Sequence, residues 1–348
     1  MSEKTLLLCG NEALVYGALL AGCDAYFGYP ITPAGEIIEC AAQKFPELGR
    51  TFIQAESEIG SINMVMGAAA AGQRAMTASS GLGISLMQEG VSYLAGMEIP
   101  CVVADVMRSG PGIGNISVEQ SDYFQVVKGG GHGGYRCPVL APASAQEMCD
   151  FAFRAFDLAE KYRTPVYILT DGMIGQMMES VTLPPPIEKA PPPTYSLTPG
   201  NARTNHFTSI YLEPDVLEKK NEALLAKYRE IEANEQDAEL WETDGADVVF
   251  VAYGIMSRLV KNAVAELRRM GIRAGLVRPK TLYPFPTKVL KKFVAQAKKF
   301  ICVELSGGQM IEDVKLAIEC ARPVNLIHRV GGKLISVEDL VAGAKAAI

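Results

Sequence analysis

The chain has 348 residues, 49% of them apolar and 21% charged, which gives room for two domains and is too apolar for a disordered polypeptide. Its 33 basic and 39 acidic side chains leave a net charge of −6, a balance that repels phosphate backbones and excludes nucleic acid from the expected partners. The longest apolar runs, such as residues 68–71 and 248–251, are far too short to span a bilayer, and the N-terminal residues carry no cleavable signal pattern; a cytoplasmic protein is expected.

From residue 5 to about residue 178, short apolar strand candidates alternate with helical patterns. Strands are expected at residues 5–9, 25–28, 51–54, 75–78, 101–106 and 166–169, several of them as the continuous apolar runs of parallel strands covered on both faces. Helices are expected at residues 12–21, 34–44, 57–71, 83–95 and 145–162. The alternation predicts a doubly wound α/β domain over residues 1–183. Residues 184–244 break the pattern. Two Pro-Pro-Pro runs, Pro184–Pro186 and Pro191–Pro193, read as a stiff extended linker. After Pro214, Leu217, Leu224, Tyr228 and Ile231 recur at helical spacing, as one amphipathic helix that either bridges domains or serves as a solvated spacer. A smaller α/β domain is expected over residues 245–348, with strands at 248–252, 273–277, 300–303 and 325–328 and helices at 257–270, 287–299 and 310–321.

The eight cysteines include no C-x-x-C pair, and most sit in apolar stretches where a reduced thiol acts as a small hydrophobe. Electron carriers, if the chemistry needs them, are then expected on another chain. Three loops that follow strands are the places to look for a site. In the first, Gly28-Tyr29-Pro30-Ile31-Thr32-Pro33, the prolines fix the backbone around Thr32, and the plain structural reading makes Thr32 an N-cap with Pro33 at the first helical position. In the second, Glu56-Ser57-Glu58, helix-dipole preference alone accounts for the acids. The apolar neighbours Ile59, Ile62, Met64 and Met66 add a setting in which a carboxyl holds its proton more tightly. The third, Arg108 to Asn115, contains the Gly110–Gly114 run, whose GxGxG spacing suggests a dinucleotide loop. Pro111 interrupts it and no helix opens on the third glycine, so Arg108, with a fork suited to a planar carboxylate, is its informative residue.

Taken together, Gly10-Asn11-Glu12-Ala13, Tyr29-Pro30-Ile31-Thr32-Pro33, Glu56-Ser57-Glu58 and Arg108 with its glycine loop resemble the α subunit of the 2-oxoacid:ferredoxin oxidoreductases. Residues 246–348, with Arg278-Pro279 and Glu304-Leu305-Ser306-Gly307-Gly308, are similar to that family's transketolase C-terminal-like domain, and residues 1–183 to its thiamine-diphosphate pyrimidine domain. The stretch Gly172–Met178 resembles the branched-chain (3-methyl-2-oxobutanoate) type most, with the 2-oxoglutarate type next. The resemblance implies oxidative decarboxylation of a 2-oxoacid with coenzyme A, giving acyl-CoA, CO2 and reduced ferredoxin.

It also implies thiamine diphosphate shared with a β subunit that holds the diphosphate and Mg2+, together with [4Fe-4S] clusters on partner subunits, a γ subunit and a ferredoxin-like subunit. By the same resemblance Glu58 is the carboxylate at N1′ of the aminopyrimidine, with Tyr29, Pro30 and Ile31 also against the cofactor. Thr32 and Arg108 bind the substrate's carboxylate and carbonyl oxygens. Glu56 stands where the pyruvate enzymes carry Gln, which bears on pocket polarity. Two other readings compete: an NAD-dependent dehydrogenase built on the Gly110–Gly114 loop, and a noncatalytic scaffold subunit.

Overall fold

The computed structural model describes residues 4–188 and 191–348; residues 1–3 and 189–190, the latter within the proline-rich stretch, lie outside the described residues. Strand β1 (Lys4–Cys9) is followed by α1 (Gly10–Leu20), β2 (Ala25–Gly28), α2 (Gly35–Glu47), β3 (Thr51–Gln54), α3 (Glu58–Ala70), β4 (Ala75–Ser79), α4 (Leu82–Met97) and β5 (Cys101–Met107). A long irregular segment leads to α5 (Tyr123–Val127), β6 (Val139–Leu140), α6 (Ala145–Tyr162), β7 (Pro165–Asp171), α7 (Gly172–Gln176) and β8 (Met178–Leu183). Helix α8 (Pro214–Asn234) and β9 (Ala238–Trp241) come next. The remainder is β10 (Val248–Val251), α9 (Gly254–Arg269), β11 (Ala274–Pro279), β12 (Thr281–Tyr283), α10 (Thr287–Phe293), β13 (Lys299–Glu304), α11 (Met310–Ala317), β14 (Val324–His328) and α12 (Val337–Ala347).

Two mixed sheets organise the chain. The larger has the order β12-β6-β7-β5-β4-β2-β3 and is parallel except for β12. Its central strands β5 and β7 are buried along their whole length, Asp105, Thr170 and Asp171 included, as strands with helices over both faces are. The smaller sheet, β14-β13-β10-β11-β9, is parallel except for β9 at its edge. One contiguous apolar core runs through both.

Several elements differ from the sequence reading: β6, β8, α5, α7 and α12 were not expected, the helix expected at 287–299 ends at Phe293, and three further differences shape the sheets. Residues 4–9 form a strand outside the main sheet, paired antiparallel with β8 from Lys4↔Leu183 to Cys9↔Met178. Only its last two residues are buried, so it lacks the two-faced cover of the parallel strands. Residues 238–241, within the stretch read as linker, form β9. Residues 281–283, from the C-terminal part of the chain, form β12 and extend the first sheet. Six of the eight cysteines are buried and all are free thiols. Among the described residues no helix is long and apolar enough to cross a membrane.

The two units are joined by buried polar side chains. Asp171 caps α7 by accepting the Ile174 N–H at 3.1 Å and reaches across to the Ile255 N–H at 2.8 Å. Arg278 on β11, 3% exposed, binds Glu147 of α6 through both Nη atoms (2.8 and 2.6 Å) and Glu239 of β9 through Nε (2.6 Å). Helix α8 contacts both sides: Lys227 donates to Glu98 at 2.8 Å, and Glu232 accepts from Tyr283 at 3.1 Å. Arg278→Met keeps the packing volume but leaves Glu147 and Glu239 facing each other without their shared cation. It is expected to cost about 2 kcal/mol, less than a fully buried pair because both carboxylates are partly exposed; urea unfolding of the full chain measures it.

Candidate active site

The strand order reverses between β2 and β4, the position at which a doubly wound sheet opens a crevice beyond its carboxyl ends. The loops after β2, β3 and β5 carry the residues singled out from the sequence, and the loop after β4 lies among them.

The first loop is seated on α1 and α7. Asn11, fully buried, donates from Nδ2 to Pro33 O and to Glu36 Oε2, both at 2.8 Å, and Gln176 donates to the other Glu36 oxygen at 3.2 Å. Thr32 is not a helix cap. The Ala34 N–H donates to Ile31 O at 2.9 Å, closing a turn that holds Thr32 and Pro33 outside α2, and the cap position falls to Ala34, which makes no side-chain bond. Tyr29, Pro30 and Thr32 are exposed, and Ile31 is partly buried.

In the second loop Ser57, not an acid, caps α3, accepting the Gly60 N–H at 3.2 Å. That leaves Glu58 free of capping duty and buried at 5% exposure, while Glu56 is exposed. The apolar setting expected around Glu58 is only partly present, since Ile62 is buried but Ile59 is exposed. What lies against the carboxylate is Ser79, donating to Oε1 at 3.3 Å, and Gly83, where a Cβ would stand 2.4 Å from Oε1 and 2.0 Å from Ser79 Oγ. Among the described residues Oε2 has no hydrogen-bond partner. Gly81 turns the chain into α4 at φ +46, a conformation only glycine adopts readily.

Arg108 joins the first loop to the third. Its Nη1 donates to Thr32 O at 3.1 Å and its Nη2 to Ile113 O at 3.0 Å, while Nε is buried without a partner. Among the described residues no carboxylate lies at ion-pair distance from it. The third glycine of its loop opens no helix; Gly114 folds back so tightly that a Cβ would meet Ser109 O at 1.8 Å. Arg108, Gly81, Leu82, Asp122, Gln125 and Gln309 line a cavity of about 420 Å3. His132, in the later glycine run, is exposed beside a different cavity, between α4 and α8.

Sequence reasoning passed over two acids here. Asp105, fully buried in β5, has neither oxygen hydrogen-bonded, and Asp122 Oδ2 is also without a partner. Burial pushes Asp105 well above the ordinary carboxylate range, and the Asp122 charge adds to it. Burial likewise pushes Asp122 up to about 6, against the opposing pull of the Gly81 amide and the Arg108 guanidinium. An acid interrupting the apolar run of β5 was the available signal. Asn11 stood in the Gly10–Ala13 motif without a role assigned to it, and Ser79 and Gly83 left no signal beyond their residue types.

Both acids hold more protons folded than unfolded, so their stabilising protonation is present at low pH and lost as pH rises through about 6 and beyond. Asp105→Asn is expected to raise Tm over the parent chain by an amount that grows between about pH 5 and about pH 8. A pH-independent difference would contradict the assignment.

Residues 16–239 match the family described as pyruvate flavodoxin/ferredoxin oxidoreductase, thiamine diphosphate-binding, and residues 246–340 match pyruvate:ferredoxin oxidoreductase core domain II. Ketoisovalerate oxidoreductase subunit VorB of Methanothermobacter thermautotrophicus is 53% identical, over 97% of this chain and 96% of its own length. The 2-oxoglutarate synthase subunit KorA of Methanocaldococcus jannaschii is 39% identical, over 97% of this chain and 98% of its own. A structure of 2-oxoglutarate:ferredoxin oxidoreductase from Magnetococcus marinus, with 2-oxoglutarate, coenzyme A and succinyl-CoA bound, superposes with a TM-score of 0.87 at 29% identity. It covers 99% of this chain, which spans 65% of the length of that one. A split-gene transketolase superposes at 0.60 with 16% identity, a likeness of fold alone.

Proposed function

Because this chain belongs to the 2-oxoacid:ferredoxin oxidoreductases, we propose that it is the α subunit of such an enzyme, acting in oxidative decarboxylation of a 2-oxoacid with coenzyme A to acyl-CoA, CO2 and reduced ferredoxin. The observation that carries this reading is the pairing of Glu58 and Arg108 on the two sides of the Ser79–Gly83 loop. One is a buried carboxylate with an unoccupied acceptor, the other a guanidinium with no counter-carboxylate.

The residues fit thiamine diphosphate. A carboxylate whose Oε2 is unclaimed, beside a glycine where a Cβ would clash, suits a flat ring bearing a protonated nitrogen. When bound, thiamine diphosphate supplies the carbon nucleophile and the electron sink that decarboxylation of a 2-oxoacid needs. Glu58 Oε2 holds the proton at N1′ of the aminopyrimidine, and Ser79 keeps the carboxyl from rotating away. Tyr29, Pro30 and Ile31 form the wall that packs against the cofactor. Arg108 binds the substrate carboxylate, and Thr32, joined to it through its carbonyl, supplies a hydroxyl to the substrate oxygens.

The substrate in this reading is a branched-chain monocarboxylate such as 3-methyl-2-oxobutanoate. Arg108 is the one cation among the described residues lining the cavity, which also carries Glu119 and Asp122. A second substrate carboxylate, as in 2-oxoglutarate, would face acids. The higher identity to the ketoisovalerate subunit than to the 2-oxoglutarate one points the same way.

Around the site Tyr29, Ile59, Leu82, Leu86, Ile113 and Ile116 are exposed. Such an apolar rim is the mark of a covered surface. A β subunit carrying the diphosphate and Mg2+ side covers it in this reading, with [4Fe-4S] clusters on partner subunits, a γ subunit and a ferredoxin-like subunit completing a cytoplasmic complex.

Glu58→Gln in the assembled complex is expected to remove most turnover, measured as viologen reduction, while leaving assembly intact; near-normal activity would sink the role given to Glu58. Arg108→Leu is expected to raise the KM for the 2-oxoacid about 100-fold, the loss of a charge-assisted contact. For Gly83→Ala, whose added methyl displaces Glu58, turnover is expected to fall roughly a hundredfold.

A further inference from the structure

Residues 109–122 follow Arg108 without forming helix or strand, so their backbone groups must be satisfied elsewhere. Some are met within the segment, as by the Ser109 N–H on Ser117 O at 3.0 Å, and the segment is then fastened to the C-terminal unit by backbone and side-chain bonds together. Gln120, fully buried, exchanges two hydrogen bonds with the Leu305 backbone (2.6 and 3.1 Å) and donates to Tyr253 O at 3.1 Å. Glu119 accepts the Gly331 N–H at 2.8 Å, and the next residue, Gly332, approaches so closely that a Cβ would stand 2.2 Å from Ser117 Cβ.

Gln309 stands closest to the chemistry. Its backbone N–H donates to Glu304 Oε2 at 2.9 Å. That carboxylate is fully buried and also accepts from the Met310 and Ile311 N–H groups at 3.0 and 2.9 Å and from Ser306 Oγ at 2.8 Å, so it cannot move. From this fixed point the Gln309 side chain donates to Ser121 O at 2.8 Å and accepts the Phe124 N–H at 2.8 Å. Ser121 Oγ in turn donates to Arg108 O. An unbroken line of hydrogen bonds therefore runs from Glu304 through Gln309 and Ser121 to the main chain of Arg108, and Gln309 lines the same cavity as the guanidinium.

We propose that Gln309 is a positioning residue for Arg108, through which the C-terminal unit sets how tightly the 2-oxoacid carboxylate is held. The proposal rests on the reading of Arg108 as the carboxylate anchor. The position needs a donor and an acceptor side by side, which a carboxamide supplies and a carboxylate or an alkyl group does not. The loop does not depend on this residue to fold, since Tyr123 and Lys128 both reach Asp313 independently.

The test is kinetic, on the assembled holoenzyme. Gln309→Leu removes both side-chain bonds and is expected to raise the KM for the 2-oxoacid about tenfold. The KM for coenzyme A and kcat are expected to stay within about twofold, with Tm and assembly preserved. Gln309→Glu, which keeps the acceptor for Phe124 but cannot donate to Ser121 O, is expected to fall between. In the Arg108→Leu background Gln309→Leu is expected to add nothing, because the group it positions is gone. If Arg108→Leu raises the KM while Gln309→Leu leaves it unchanged, lowers kcat instead, or adds its full effect on top, the positioning role is overturned and the reading of Arg108 stands. If Arg108→Leu itself leaves the KM unchanged, both fall.

Discussion

A carboxylate taken out of water must be met by donors or give up its charge, and that constraint sorts the buried acids of this chain. Glu304 collects five donors, from Cys302, Ser306, Gln309, Met310 and Ile311. Asp171 divides its oxygens between the Ile174 and Ile255 N–H groups and so ties α7 to α9. These two are fully matched, and both stand where the halves of the chain meet. Glu58 has one donor and an open oxygen, and Asp105 has none. The incompletely matched acids lie together at the switch point of the sheet, beside an arginine that also lacks an ionic partner. Satisfied carboxylates hold the scaffold, and the unsatisfied ones gather at the candidate site.

The same sorting explains what could be read from the sequence. The parallel core was legible because β5 opens on an apolar run and β7 is apolar up to Thr170, the pattern of parallel strands covered on both faces. Glu58 and Arg108 stood out as candidates because each sits just past a strand end in a segment of distinctive composition. Thr32 was misjudged as a cap because Thr-Pro satisfies the local rule, and the deciding bond, Ala34 N–H to Ile31 O, depends on how the loop is seated by Asn11. β6 and β12, two and three residues long, carry no periodicity at all. Helix α12 was not expected, although its Ser336–Asp339 capping box stands in the sequence as Ser-x-x-Asp. Long-range polar pairings left no local trace. Nothing near Gln309 or Arg278 says that one faces Ser121 and the other Glu147.

The division of labour between the two halves follows. The first sheet supplies the crevice and the ionisable groups. The second supplies no charged group to the cavity lining but fastens the irregular segment after Arg108, residue by residue, through Gln120, Gln309 and the Gly331-Gly332 turn. An irregular segment is in this way fastened to a sheet it does not belong to.

Strand β12 carries that interdependence into the backbone. Its three residues, encoded well past the proline-rich stretch, close the edge of a sheet whose other members all lie before residue 172. Cutting the chain between the two halves would take from β6 its outer neighbour, leaving β7 alone beside it, and bare the hydrogen-bonding groups of that edge, the kind of raw margin that invites misassembly with foreign strands.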